Sequence, residues 1–210
     1  MGYASRQRKR HAVSLEGLRV VVDVQHLYRP NKPKDRGSVY ALADGTTTTE
    51  GGAVVVYAGA LRAFLEERGA EVLTNDPTHW ILVGPYSTRH RAVNAWKPHA
   101  YLACHLNAGG GRYALMEHMS MSRGKALAEA IGQSLSAIFP ALADHRTLAL
   151  KSTDRGAVCI ERVEDPAAAV LCEPFFGDNP AHQALLAAPE LHRVGRAIGL
   201  GVAAWWEHEH

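Results

Sequence analysis

The chain has 210 residues, of which 47% are hydrophobic and 21% are charged, close to the average for globular domains. This composition excludes a disordered chain, a coiled coil and a collagen-like repeat. The formal net charge of +2 provides no strong field for nucleic acid, and the three cysteines form no Cys-x-x-Cys pair. The unusual count is the 12 histidines, which direct attention to a metal site.

The first 16 residues are polar and basic, and we expect them to form a flexible arm in front of one domain over residues 17–207. The apolar run over residues 18–24 is too short for the core of a signal peptide, and it carries Arg19 and Asp23. The sequence contains no run of about 18 apolar residues, so we expect no membrane span.

Short apolar runs alternate with amphipathic segments along the chain, a pattern that predicts strands alternating with helices. The predicted strands are residues 18–24, 71–74, 100–105, 112–119, 157–161 and 168–172, and residues 26–49 are predicted as a long loop. The predicted helices are residues 50–68 (capped by Thr49 and ended by Gly69), 87–96, 122–139 and 191–206. This order predicts a single α/β domain, with a largely parallel twisted sheet flanked by helices on both faces.

Polar side chains follow three of the predicted strands, and a fourth begins a helix. His26, His105 and Glu173 come directly after strands, and Glu50 is placed in the first turn of the helix. Ligands of open α/β sheets bind beyond the carboxyl ends of the strands. Two imidazoles and one carboxylate are a common zinc set, and a further carboxylate beside the site serves as general base.

The same four residues also have plainer interpretations. A histidine after a strand is more often a loop residue, and Glu50 also suits the positive end of a helix. Glu173 is more informative, because a carboxylate directly after a buried apolar strand is costly to bury without a cation or hydrogen bonds. From the pattern alone, both interpretations stay open.

Five segments in chain order resemble one known family. They are residues 20–26 (Val-Val-Val-Asp-Val-Gln-His), Glu50 with the helix and strand that follow, residues 88–108, residues 122–131, and residues 154–177. The family is the type-3 N-acetylmuramoyl-L-alanine amidases, zinc enzymes that cut peptidoglycan. The chain departs from the family pattern around His26, where Val24-Gln25 replaces Pro-Gly and Leu27 replaces Gly.

The resemblance implies a role for each of the four residues. His26, Glu50 and His105 would hold Zn²⁺, and Glu173 would take a proton from the attacking water and pass it to the leaving amine. The bond cut would join the lactyl group of N-acetylmuramic acid to the L-alanine of the stem peptide.

The resemblance also sets expectations about partners and location. The expected partner is peptidoglycan, with no nucleic acid, and we expect a monomer. With no recognisable signal peptide, the protein would be made in the cytoplasm and would act on the cell wall, as a phage endolysin released through a holin pore does.

Two more residues are candidate substrate contacts. Asn107 would bind substrate or orient His105, although an asparagine after a strand is often a turn former. Arg155 would reach a carboxylate of the stem peptide, although it also suits a solvated turn.

Two other functions are also compatible with the sequence. A zinc carboxypeptidase-like peptidase would need a cationic residue, Arg89 or Arg155, to hold a terminal carboxylate. A non-catalytic peptidoglycan-binding module would keep the fold without the reaction, but all four implied catalytic positions carry competent residues.

Overall fold

The computed structural model describes residues 13–26, 36–75, 85–120, 123–142 and 144–209. Its strands are β1 (Arg19–Val24), β2 (Val39–Ala41), β3 (Thr47–Thr49), β4 (Glu71–Thr74), β5 (Ala100–Cys104), β6 (Tyr113–Met119), β7 (Asp144–Leu150) and β8 (Ala168–Glu173). Its α-helices are α1 (Glu50–Glu66), α2 (Tyr86–Trp96), α3 (Gly124–Ile138) and α4 (Ala188–Glu209), and two 3-10 helices cover Ala157–Cys159 and Pro180–Leu186.

The central sheet has six strands in the order β4-β1-β5-β8-β6-β7. Its pairs are parallel except β6 with β8, which run antiparallel. Every residue of β5 is buried, as expected for a central strand covered on both faces. The predicted α/β domain with a largely parallel sheet is confirmed.

Helices cover both faces of this sheet, as predicted. One buried cluster joins the sheet to α1, α3 and α4, whereas a second joins it to α2 and the 3-10 helix at Ala157–Cys159. Helix α1 begins where the sequence predicts, because the Thr49 hydroxyl accepts a hydrogen bond from the backbone N–H of Gly52. Glu50 is therefore held at the first position of α1.

Two predictions of local structure are wrong. The predicted strand at 157–161 contains a 3-10 helix over Ala157–Cys159 instead, because a run of only four apolar residues cannot be assigned by periodicity and this one packs against the sheet from outside. The predicted loop over 26–49 contains an antiparallel hairpin of β2 and β3, each three residues long, which is too short for a periodic signal.

Strand β7 has no counterpart among the predicted strands. The strand has the sequence Asp-His-Arg-Thr-Leu-Ala-Leu, which is polar at its start. Its residues alternate between exposed and half-buried up to Leu148, and only the last residue, Leu150, is buried. The strand lies at the edge of the sheet next to β6, where a polar strand tolerates solvent. Edge strands lack the continuous apolar run by which the central strands were predicted.

The packed domain begins by Leu15, which was predicted to lie in the arm. Leu15 is fully buried, and its backbone N–H donates to the carbonyl oxygen of Arg68. Residues 1–12 of the predicted arm, and residues 27–35 of the predicted loop, lie outside the described residues. Within the described residues, no helix is both long and apolar enough to cross a membrane.

Candidate functional site

The structure brings His26, Glu50 and His105 together beyond the carboxyl ends of β1 and β5. One possible ligand atom from each residue lies within 4.8 Å of those of the other two. Glu50 Oε1 is 3.6 Å from His26 Nε2 and 3.1 Å from His105 Nδ1. Ligand atoms bound at about 2.0–2.2 Å to one tetrahedral ion are roughly 3.3–3.6 Å apart, and the two measured separations are within about 0.2 Å of that range, so the donor set fits Zn²⁺.

The Glu50 carboxylate is held by backbone donors as well as by the imidazoles. Oε1 accepts from the N–H of Leu106 at 3.1 Å, and Oε2 accepts from the N–H of Ser38 at 3.2 Å. Burial raises the pKa of Glu50, but the hydrogen bond and charge of His105, with the charge of His26, more than offset it. The pKa of Glu50 is therefore below its ordinary value, and the residue is a carboxylate at neutral pH.

His26 owes its position to an unusual backbone conformation. Its φ is +52°, in the left-handed region that residues other than glycine seldom adopt. Its carbonyl oxygen packs against Gly51 so closely that a Cβ at Gly51 would overlap it. A glycine in the first turn of α1 is therefore required to bring His26 beside Glu50.

His105 is fixed by both its backbone and its surroundings. Its N–H donates to the carbonyl of Cys172 at 2.9 Å, and its own carbonyl accepts from the Tyr57 hydroxyl at 2.6 Å. Burial lowers the pKa of His105, although the hydrogen bond to Glu50 opposes this effect. A neutral imidazole is the form that binds metal ions.

Glu173 ends β8 and lines the same cleft of about 460 Å³ as the three candidate ligands. Burial, then the charges of Glu117 and Glu50, raises the pKa of Glu173 to about 8, while Arg155 acts in the opposite direction. Asn107 donates a short hydrogen bond from Nδ2 to Glu173 Oε2. Asn107 therefore orients Glu173, whereas the expectation from the sequence was that it binds substrate or orients His105.

Arg155 also lines this cleft, with an exposed side chain, which leaves it available to substrate. Arg89, the other arginine proposed to hold a terminal carboxylate, lies on α2 and is not among the residues that line the cleft. Its guanidinium is buried and bonds to both oxygens of Asp23, at 2.7 and 2.9 Å. Asp23 also accepts from the Tyr101 hydroxyl at 2.6 Å, so it anchors α2 to the sheet.

Two residues of the cleft were missed by the sequence analysis. Glu117 lies on β6, beside β8, and Cys159 lies in the 3-10 helix. Alternation along β6 places Glu117 on the face opposite His118, but only the antiparallel pairing with β8 brings Glu117 near Glu173. His118 packs on that opposite face against Gly124 of α3.

The fold is shared with several proteins of known structure, many of which are N-acetylmuramoyl-L-alanine amidases. The chain is similar to Cwp6 from Clostridium difficile, with a TM-score of 0.73 and 22% identity over 90% of this chain and 29% of that one. It is also similar to the N-acetylmuramoyl-L-alanine amidase AmiC2 of Nostoc punctiforme (TM-score 0.71, 16% identity, 90% and 97% covered). A third is the N-acetylmuramyl-L-alanine amidase Ami1 from Mycobacterium smegmatis (0.69, 19%, 93% and 99%).

This chain spans less than a third of the length of Cwp6 and nearly the full length of the other two. No family model and no curated protein sequence matches it. The structural similarity agrees with the resemblance seen in the five sequence segments. The chain therefore has the fold of the N-acetylmuramoyl-L-alanine amidases.

Proposed function

We propose that this protein is a zinc-dependent N-acetylmuramoyl-L-alanine amidase that cleaves peptidoglycan. The observation that carries this proposal is the meeting of His26, Glu50 and His105, within 4.8 Å, in one cleft with Glu173. The amidase fold supports it, because the cleft lies at the carboxyl ends of the strands where such folds bind ligands.

His26 Nε2, Glu50 Oε1 and His105 Nδ1 are the atoms that would hold the ion. When bound, Zn²⁺ polarises the amide carbonyl and increases the acidity of the attacking water. The backbone donors to Glu50 keep its carboxylate in place before the ion binds, so the site is largely preorganised.

Glu173 would move the protons of the reaction. The attacking water transfers a proton to the Glu173 carboxylate, and its oxygen bonds to the carbonyl carbon of the lactyl amide. The carbon–nitrogen bond then breaks, and Glu173 returns the proton to the L-alanine nitrogen. A pKa raised to about 8 suits the proton-donating step, and a bound cation nearby would lower it towards the value needed for the first step.

Asn107 and Arg155 would divide substrate binding and orientation between them. Asn107 keeps the Glu173 carboxyl group aimed into the cleft by donating to Oε2. Arg155, exposed at the rim, would pair with a carboxylate of the stem peptide.

A carboxypeptidase-like activity is the second candidate, and Arg155 is the observation that favours it. An exposed guanidinium at the rim of the cleft is the type of group that holds a terminal carboxylate. Arg89 cannot take this role, because its guanidinium is buried against Asp23.

Digestion of purified sacculi tests these alternatives. An amidase releases stem peptides with free L-alanine amino groups and creates no new reducing sugar ends. Release of single C-terminal amino acids would favour the carboxypeptidase, and binding without any release would favour the peptidoglycan-binding module. Turbidity loss that survives a chelator would contradict the zinc mechanism.

Three variants make the assay specific to the cleft. Glu173→Gln and His105→Ala should each abolish release of L-alanine ends, since one removes the proton acceptor and the other a ligand. Glu129→Gln changes a glutamate on α3, outside the cleft residues, and should retain wild-type turnover. Loss of activity in Glu129→Gln as well would point to general damage to the fold.

A further inference from the structure

Cys159 lies on the opposite side of the His105 ring from Glu50. Nδ1 of His105 faces Glu50 Oε1 at 3.1 Å, whereas Nε2 lies 3.7 Å from Cys159 Sγ. Cys159 is 5% exposed and lines the cleft. The two ring nitrogens therefore have different partners, a carboxylate and a thiol.

The contact continues from Cys159 towards the other candidate histidine. Cys159 Sγ donates to the Tyr86 hydroxyl at 3.3 Å, and Tyr86 in turn donates to Oε1 of Gln25 at 2.9 Å. Gln25 is the residue before His26, and its backbone N–H donates to the carbonyl of Cys104, the residue before His105. A chain of polar contacts thus joins the surroundings of His105 to those of His26.

Helix α2 holds Cys159 in this position. His90 Nε2 donates to the carbonyl oxygen of Cys159 at 2.9 Å, and His90 is buried. The neighbouring Arg89 anchors the same helix to Asp23 of β1. The sulfur is therefore set by a helix that is itself attached to the strand carrying His26.

The chemistry of histidine ligands explains what this sulfur does. A ring nitrogen that binds a metal ion carries no proton, so the other nitrogen carries it and needs an acceptor. When Nδ1 faces the ion, Nε2–H must donate, and a thiol sulfur accepts that bond while giving its own hydrogen to Tyr86.

We propose that Cys159 is a positioning residue that holds His105 in the tautomer whose Nδ1 binds the metal ion. This inference rests on the proposed metal site and deepens it, since it assigns a role to a residue outside the ligand set. Such partners are usually carboxylates, carbonyls or waters, and a thiol in this place is a feature of this chain.

The metal affinity of the 210-residue chain tests the inference without relying on turnover. Zn²⁺ binding to wild type, Cys159→Ala and Cys159→Ser is measured by competition with a chromophoric chelator, and Co²⁺ absorption spectra report the ligand field. Cys159→Ala should bind Zn²⁺ about 10–100-fold more weakly, as is typical when the partner of a ligand histidine is removed. Cys159→Ser should restore most of the affinity, because a hydroxyl also donates and accepts.

Val163→Ala is the packing control. Val163 packs against the same buried cluster as Cys159 but is not among the residues that line the cleft, so the Zn²⁺ affinity of this variant should equal that of wild type. If Cys159→Ala does not fold, Tyr86→Phe is the second variant, because Tyr86 is half-buried and its hydroxyl accepts the hydrogen of the Cys159 thiol. This variant should weaken Zn²⁺ binding several-fold.

The outcomes separate this inference from the proposed function. Equal Zn²⁺ affinity in wild type and Cys159→Ala (or Tyr86→Phe, if that is the variant measured) would overturn the inference and leave the metal site standing. Equal weakening in Cys159→Ser and Cys159→Ala would also overturn it, because packing rather than hydrogen bonding would then be at work. A wild-type protein that binds no metal would overturn both.

Discussion

At the scale of single residues, Glu173 has a carboxyl group whose charge the fold disfavours. Burial and the nearby carboxyl groups of Glu117 and Glu50 raise its pKa to about 8, against an ordinary value of 4.5. The unfolded chain therefore releases this proton at lower pH than the folded chain does. The contribution of Glu173 destabilises the metal-free protein as pH rises from about 4.5 towards 8.

Replacing Glu173 with Gln should therefore stabilise the metal-free protein, and more so at pH 8.5 than at pH 4.5. Each unit of pKa shift corresponds to about 1.4 kcal/mol, so we expect a rise of several degrees in Tm at the higher pH. Thermal unfolding of wild type and Glu173→Gln in chelator, at the two pH values, measures it. An equal change in Tm at both pH values would show that the carboxyl group is not strained by burial.

Arg89 and Asp23 form a buried ion pair whose role is structural. Removing the cation with Arg89→Met leaves a fully buried carboxylate with the Tyr101 hydroxyl, and should cost about 3–5 kcal/mol of unfolding free energy. Urea unfolding gives this value, and the double variant with Asp23→Asn should recover a large part of it. A small loss of stability combined with a raised KM would instead assign Arg89 to substrate.

At the scale of elements, the first turn of α1 determines how closely β1 approaches the site. The backbone of His26 lies against Gly51, where a Cβ has no room. Gly59 is on the exposed side of the same helix and has open space around its Cα. A side-chain methyl group therefore has no room at Gly51 but fits at Gly59, although both residues lie in one helix.

Gly51→Ala should destabilise the protein by about 1–3 kcal/mol and weaken metal binding, because the new methyl group displaces His26. Gly59→Ala, its matched control, should stabilise the protein by up to about 1 kcal/mol, because alanine is the better helix former. Denaturant unfolding and Zn²⁺ titration of both variants check these signs. Tolerance of alanine at position 51, with unchanged Zn²⁺ affinity, would contradict the close approach.

Which elements the sequence predicts depends on their burial. The strands β1, β5 and β8 have continuous apolar runs and the four α-helices have helical periodicity, so the positions of these elements are predicted to within a few residues. The edge strand β7 and the hairpin of β2 and β3 carry no such signal, because polar or short strands depend on neighbours for their pairing. A short apolar run likewise carries no periodicity, which is why a strand is predicted where the structure has the 3-10 helix that carries Cys159.

At the scale of the whole molecule, the site joins parts of the fold that are distant in the sequence. His26 follows β1, Glu50 begins α1 and His105 follows β5, so a metal ion would bind only when all three are packed correctly. Binding to the folded state alone stabilises that state. Metal binding at this candidate site would therefore report on how β1, α1 and β5 are packed together.

Zn²⁺ should raise the Tm of the protein. At a free concentration 100 times Kd it adds about 2.7 kcal/mol, which corresponds to roughly 5–10 °C for a domain of this size. His105→Ala should abolish the rise, whereas His192→Ala, an exposed histidine on α4, should keep it. An equal rise in both variants would locate the bound ion somewhere other than the candidate site.

The sequence by itself determined the α/β class, the central strands, the helices and the four residues placed at strand ends or at the start of a helix. It did so because burial on both faces and helical periodicity are local patterns. The tertiary structure decided what no local pattern holds: that Glu117 lies near Glu173, that Asn107 orients that glutamate and that Arg89 is buried. It also placed Cys159 against His105. These contacts join residues from different elements, and only the pairing of strands and the packing of α2 against the sheet set their distances.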